Sequence, residues 1–431
     1  MLLEDRTAQE AWSPTERIDR GPALVNATDI PRPRSPFVSL RTGCRLRHGP
    51  RFRLLQAGPH AQTGHMSTET RIAVLPQEPG PLRIETIELP APVGHEVLVK
   101  EFASGICHSQ LHQMHSPRRS NVVLGHEATG EVLAVGELVD NVGPGDRVLL
   151  TFQPRDLRTT NRQPGISSVE LGDGSRAMSP NIFTWSDHTL VDDQYVIKVA
   201  PDTPTDVTSI VGCAVLTGAG AVIRAAGVER GQSVAVWGVG GVGLNAIAAA
   251  RMMGANPIIA VDVDEAKLEL ARHFGATHTV NGRETDPIEA VRELTLGSIE
   301  GHGFRGAPIA GVDFAFDVVA RPETFLQAFR STRNSRLAVH AGGTVVVVGV
   351  PQGSFDLPAV ELLISERKIV GTLGGTAVPE EDIPMFLSWY ANGDLDLDAL
   401  VTSRVGLDEI NEATKMLEDG KVLGRSIIEF N

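Results

Sequence analysis

Between Arg71 and Val199, apolar and polar positions alternate in short runs that Pro and Gly cut apart. Ile72–Leu75, Leu82–Leu89, Glu96–Phe102, Gly130–Val135 and Arg147–Phe152 read as strands. Turns such as Pro90-Ala-Pro-Val-Gly and Gly143-Pro-Gly-Asp separate them. A polar, Gly/Ser/Arg-rich stretch from Arg155 to Asn181 has no period and reads as a loop, after which Trp185–Val199 resumes strand character. From Ser233 the rhythm changes. Strand Ser233–Trp237, helix Val242–Met253, strand Pro257–Asp262 and helix Ala266–Phe274 follow one another, then strand Gly311–Val319, helix Pro322–Phe329 and strand Gly343–Val350. That alternation is the signature of a doubly wound parallel sheet. Near Thr372 the chain is expected to leave this sheet. Helices around Glu380–Asn392 and Leu407–Asp419 and a final strand Arg425–Phe430 then return to the first half. The pattern predicts an α/β protein, with a mostly-β domain over 66–215, a parallel-sheet domain over 216–372 and a return segment over 373–431.

Residues 1–65 stand apart. They carry ten arginines, no lysine, six acidic residues and scattered prolines, with no sustained apolar period, and a disordered extension is expected there. Arginine enrichment suits a transit peptide, but the acids Glu4, Asp5, Glu10, Glu16 and Asp19 do not. Over the whole chain, 42% apolar content suffices for real cores, and a net charge of −14 argues against nucleic acid or an anionic membrane as partner. No stretch approaches the ~18–20 uninterrupted apolar residues of a membrane span. Three cysteines (44, 107, 213) make no disulfide framework and fit a reducing, cytoplasmic setting.

Gly238, Gly240, Gly241 and Gly243 lie in Gly-Val-Gly-Gly-Val-Gly, directly after a predicted strand and opening a predicted helix, and Asp262 ends the next strand. In that context the glycines let the backbone close on a pyrophosphate at a helix N-terminus. Asp262 can accept from both adenosine ribose hydroxyls and would repel a 2′-phosphate, so NAD is expected over NADP. Two further thiols and an imidazole stand in suggestive contexts: Gly-Ile-Cys107-His-Ser-Gln, Leu-Gly-His126-Glu and Val-Gly-Cys213-Ala-Val-Leu-Thr-Gly. Two thiolates and one imidazole would leave a tetrahedral Zn²⁺ with an open position. Taken singly, Cys213 reads as a small buried side chain, and it becomes a candidate ligand only beside Cys107 and His126.

The order of these stretches, with Leu-Gly-His-Glu-Ala-Thr-Gly-Glu-Val, Val-Gly-Pro-Gly-Asp-Arg-Val and Gly-Cys-Ala-Val-Leu-Thr-Gly-Ala-Gly-Ala-Val, resembles the zinc-dependent alcohol dehydrogenases of the medium-chain dehydrogenase/reductase superfamily from about residue 71 onward. The resemblance implies a GroES-like catalytic domain beside the Rossmann domain, with the active site between them. It makes Cys107, His126 and Cys213 the ligands of one catalytic zinc, with Glu127 a carboxylate that can approach the metal. Ser109 would hydrogen-bond the alcohol and His112 would end a proton relay, a role suited to a side chain that titrates near neutrality. His108 would touch the pyrophosphate; Thr217, Val242, Val318, Arg321 and Val348 would line the nicotinamide or ribose, and Lys267 the adenosine ribose. Phe152 and Trp185 would wall a pocket for a small or medium hydrophobic alcohol or its aldehyde. Hydride would pass reversibly between that alcohol and NAD.

Three departures from the family pattern stand out. Gln110 replaces a common acidic residue that orients the histidine ligand; its carbonyl is expected to accept the imidazole N–H without charge. Ile428 occupies the position matched to a phosphate-contacting arginine of the last strand, which implies weaker cofactor binding. After Phe152 comes Gln153-Pro-Arg-Asp-Leu-Arg in place of a four-cysteine lobe, so a single zinc per subunit is expected and no structural zinc. A thiol-adduct (S-hydroxymethyl) formaldehyde dehydrogenase is the nearest competing activity; a zinc-free quinone or enoyl reductase would lack the triad. Family analogy suggests a homodimer or homotetramer.

Overall fold

A computed structural model describes residues 67–155, 162–179, 181–297, 301–303, 306, 308–335, 341–351 and 353–430. The extension expected over 1–65 lies outside the described residues, as does Cys44. The second half is organised by six parallel strands: β1 (Val234–Trp237), β2 (Ile258–Asp262), β3 (His278–Asn281), β4 (Phe314–Asp317), β5 (Thr344–Val347) and β6 (Lys368–Gly371). They lie in the order β3-β2-β1-β4-β5-β6, so the strand order reverses beside β1, where a doubly wound sheet binds its ligand. All four residues of β1 are buried, as expected of a strand covered by helices on both faces. Helix Gly241–Met253 packs through Ala246, Ala248, Ala249 and Ala250, small side chains that bring it close to the sheet. Asp264 caps the helix Glu265–Phe274 by accepting from the Ala266 amide. Gly254 and Gly275, both at positive φ, end their helices.

The first half is antiparallel and mostly β. Strand Glu96–Ile106 pairs with Glu127–Val135, His188–Asp192 and the last strand, Arg425–Glu429. The polypeptide therefore does return, with Ser426 opposite Ile106. Two of these strands are longer than the alternation suggested: Glu96–Ile106 runs four residues past Phe102, and Glu127–Val135 begins three before Gly130. Their extra residues sit where Cys107 and His126 are delivered. A second sheet contains Thr68–Leu75, Arg83–Leu89 and Asn121–Val123.

The stretch read as a loop from Arg155 to Asn181 contains a small hairpin, Ser168–Glu170 against Arg176–Met178. Gly174, at positive φ, turns it, and Asp173 accepts from the Ser175 amide. Strands of three residues are too short to show a period; they form because Asn121–Val123 offers a pairing edge. Trp185–Val199 is likewise broken, by a tight helical turn at Asp193–Tyr195. One segment had no helix assigned. Val207–Ala226 is a continuous, irregular helix that passes through 3₁₀, π and α turns. It is long and apolar enough to cross a membrane by length and composition, which the count of uninterrupted apolar residues had missed; here 78% of its most apolar window is buried inside the protein. It is a core helix, and Cys213 lies on its π turn.

Candidate metal and dinucleotide site

Cys107 ends the strand Glu96–Ile106 and caps the helix His108–His115; His126 stands just before Glu127–Val135; Cys213 comes from the π turn of the core helix. π turns recur at functional positions because the extra residue re-aims a side chain. These elements bring the ligand atoms of Cys107, His126, Glu127 and Cys213 within 4.8 Å of one another. The two sulfurs are 3.8 Å apart, the separation of ~3.8 Å that two sulfurs at ~2.3 Å from one tetrahedral zinc must have. His126 Nε2 lies 3.2 Å from Cys213 Sγ. That is a little closer than the ~3.5 Å of a filled tetrahedron, and natural for a hydrogen bond between them. The donor set fits zinc.

Burial and charge sharpen the picture. Cys213 donates to Cys107 and, with Arg425 and His126 close by, holds the Cys107 thiol well below the ordinary thiol range against the opposing effect of burial. The same hydrogen bond and burial push Cys213 well above it, while Thr217 works the other way. Glu127 is fully buried. Its carboxylate forms an ion pair with Arg425 and accepts from the Ala214 amide at 3.3 Å. Gly105 makes room for it, since a side chain there would collide with the Glu127 carboxylate.

Arg425 bears on the expectation drawn from Ile428. The last strand carries an arginine three residues before Ile428, beside the glycine turn. Its alkyl chain packs on Gly241 so closely that a Cβ there could not be accommodated. Its Nε is buried without a hydrogen-bond partner among the described residues. Ile428 is fully buried among Leu124, Trp185 and Ile410, since alternation along the strand turns it away from Arg425. The signal was present in Gly-Arg-Ser-Ile-Ile-Glu-Phe, but the arginine stands three positions before the matched one, an odd offset that puts it on the other face of the strand.

Around the glycine turn, Gly238 has φ +85°, and Gly243 packs against the Gly238 carbonyl with no space for a Cβ. Gly240 faces open space. An accessible backbone, a helix N-terminus at Gly241 and the orphaned Arg425 Nε together fit a pyrophosphate. Asp262, at the end of β2, accepts from the amides of Val239 (2.9 Å), Val263 (2.7 Å) and Asp264 (3.1 Å). That engages three of its roughly four acceptor positions, so it shapes the turn as well as presenting charge. Partial enclosure lowers the His108 pKa, and His112, Lys267 and Arg321 lower it further while Cys107 opposes. Val318 and Val348 follow β4 and β5, where the Val348 amide reaches the Asp317 carbonyl at 2.9 Å. Thr217 and Val242 lie on two helices pressed together at Gly218, where a Cβ would strike the Val242 carbonyl.

Ser109 and His112 occupy successive turns of the helix His108–His115, half-buried, with the His112 ring 5.6 Å from that of His108, edge-on. Phe152 stands edge-on to His126 with ring centroids 5.4 Å apart. Trp185 does not join it at an open wall. The indole is fully buried and donates to the Gly105 carbonyl at 3.2 Å; it is a core side chain that braces the strand leading to Cys107. Gln110 also departs from expectation: its carbonyl accepts the Cys107 amide, and its NH₂ faces His126 Nδ1.

The sequence matches two family models, the alcohol dehydrogenase GroES-like domain over residues 94–202 and the zinc-binding dehydrogenase over 241–392. It is 32% identical to the alcohol dehydrogenase class-3 of Cereibacter sphaeroides, over 84% of this chain and 100% of that one. It is 30% identical to the S-(hydroxymethyl)glutathione dehydrogenase of Paracoccus denitrificans, with the same coverage. The crystal structure of benzyl alcohol dehydrogenase from Acinetobacter calcoaceticus superposes with a TM-score of 0.71 at 29% identity, covering 84% of this chain and 100% of that one.

Proposed function

The chain belongs to the zinc-binding alcohol dehydrogenases, and from that premise we propose that it oxidises a hydrophobic primary or secondary alcohol with NAD, reversibly, at Cys107, His126 and Cys213. It is an oxidoreductase that acts on small-molecule alcohols and uses zinc. When bound, the metal supplies Lewis acidity to the alcohol hydroxyl and the dinucleotide supplies the hydride acceptor. The protein's own groups do the rest. Cys107, His126 and Cys213 hold the metal. The amides at Gly240 and Gly241, with Arg425, hold the pyrophosphate, and Asp262 selects an unphosphorylated ribose by charge. Ser109 receives the hydroxyl proton and His112 carries it outward. Phe152 bounds the apolar side of the substrate.

The observation that carries this reading is the convergence of two sulfurs, at the spacing of one tetrahedral centre, with an imidazole and with Glu127, whose partner Arg425 rests on the glycine turn. NADH formation across a panel of aliphatic and aromatic alcohols, before and after chelation, tests it. Chelator-resistant turnover would contradict it. The Paracoccus relative gives a second reading, oxidation of the adduct of formaldehyde and glutathione, so that mixture belongs in the panel. We also propose a homodimer paired through the sheet edge β6, or a tetramer built from such dimers. Around that edge Leu363, Ile369 and Leu373 are exposed. Sedimentation velocity of the full chain and of Ile369→Lys tests it, a monomeric wild type being the contrary result.

A further inference from the structure

Gln110 is fully buried, and its amide bridges two of the residues named above. Oε1 lies 2.7 Å from the Cys107 backbone nitrogen and Nε2 lies 2.9 Å from His126 Nδ1. A backbone N–H can only donate, so the amide orientation is fixed: the carbonyl goes to Cys107 and the NH₂ to His126. An NH₂ also can only donate. His126 Nδ1 must therefore accept, which leaves the ring proton on Nε2, the nitrogen 3.2 Å from Cys213 Sγ. The zinc site needs that same nitrogen as a lone pair.

We propose that Gln110 is a positioning residue that locks His126 in its Nε2-protonated tautomer, so that this protein binds zinc more weakly, and releases it more readily, than it would with a carboxylate at position 110. The inference rests on the reading that Cys107, His126 and Cys213 hold the metal. For His126 to hold zinc through Nε2, its ring proton would have to sit on Nδ1, with the imidazole still neutral. Nδ1–H then meets the NH₂ of Gln110, donor against donor. Turning the amide over relieves that contact but sets the NH₂ against the Cys107 N–H. Either way one buried donor is left unmatched, and that has a free-energy cost. A carboxylate accepts from both partners and raises ligand basicity as well.

Full-length wild type, Gln110→Glu and Gln110→Asp, each loaded with zinc, are equilibrated against a graded series of chelator and the retained metal is measured. Either acidic variant should hold zinc at least about tenfold more tightly than wild type. In metal-stripped wild type labelled with ¹⁵N-histidine, His126 should carry its proton on Nε2; in the acidic variants it should move to Nδ1. A packing role alone would shift neither readout in these directions. Equal or weaker zinc retention in both variants, or an Nδ1 proton in the wild type, would overturn the proposal. Failure of every chain, wild type included, to take up zinc would overturn the zinc reading beneath it.

Discussion

The glycine turn and acidic residue of the dinucleotide half come from one short run, Gly238 to Asp262, whereas the metal half draws Cys107, His126, Cys213 and Arg425 from across the fold. In the first half each part is local: a strand, a turn with one glycine at φ +85°, a helix N-terminus and a capping carboxylate. In the second no two ligands share an element, and the geometry exists only after two strand ends and the core helix have packed together. A locally encoded site tolerates damage piecemeal. A convergent one is expected to fail as a unit, because each buried group there is balanced by another.

The sharpest way to break this contrast is to remove one ligand. Cys213→Ser should lose its zinc and lower kcat by roughly 10³-fold or more, with elemental analysis and steady-state kinetics as the readouts. Retained zinc with near-normal turnover would mean the three residues do not act together. Next comes the ion pair beneath them. Arg425→Met leaves Glu127 charged and buried, and should cost about 3–5 kcal/mol of stability in chemical denaturation. The double variant Arg425→Met with Glu127→Gln should recover much of that loss. Arg425→Met should also weaken NAD binding, whereas Ile428→Arg should destabilise the protein without tightening NAD, since Ile428 is core.

Damage to the local half should be smaller. Asp262→Asn removes the charge that opposes a 2′-phosphate and should shift the NAD-over-NADP ratio of kcat/KM by about tenfold, with the glycine turn intact. An unchanged ratio would shift selection elsewhere. The smallest effect lies outside the site. Glu101 is fully buried on the strand leading to Cys107, with neither oxygen hydrogen-bonded among the described residues. Burial, and then Asp187, raise its pKa well above 4.5. A carboxyl raised in the folded state contributes stability that is full below the unfolded value of about 4.5 and lost as pH rises through the folded value. Glu101→Gln should flatten that decline and gain about 1–2 kcal/mol at pH 8, measured by denaturation at several pH values. A decline of unchanged slope would sink this account.

The contrast also explains what was legible in the amino-acid sequence. The parallel sheet, the glycine turn and Asp262 are readable because their determinants are contiguous. Cys107, His126 and Cys213 are readable as a set only through family resemblance, since spacing alone does not bring them together. What eluded the sequence is what depends on register or orientation. Arg425 was hidden by a slip along the last strand, Trp185 turned inward to the Gly105 carbonyl, and Gln110 presented its NH₂ where its carbonyl was expected. The hairpin around Gly174 and the irregular helix Val207–Ala226 carry too short or too mixed a period to announce themselves.

X-ray absorption at the zinc edge of the full-length, zinc-loaded protein tests the central claim most directly. The account predicts one zinc per chain, with two sulfurs at about 2.3 Å and nitrogen or oxygen neighbours at about 2.0–2.1 Å. A shell of four sulfurs, or one with none, would contradict it.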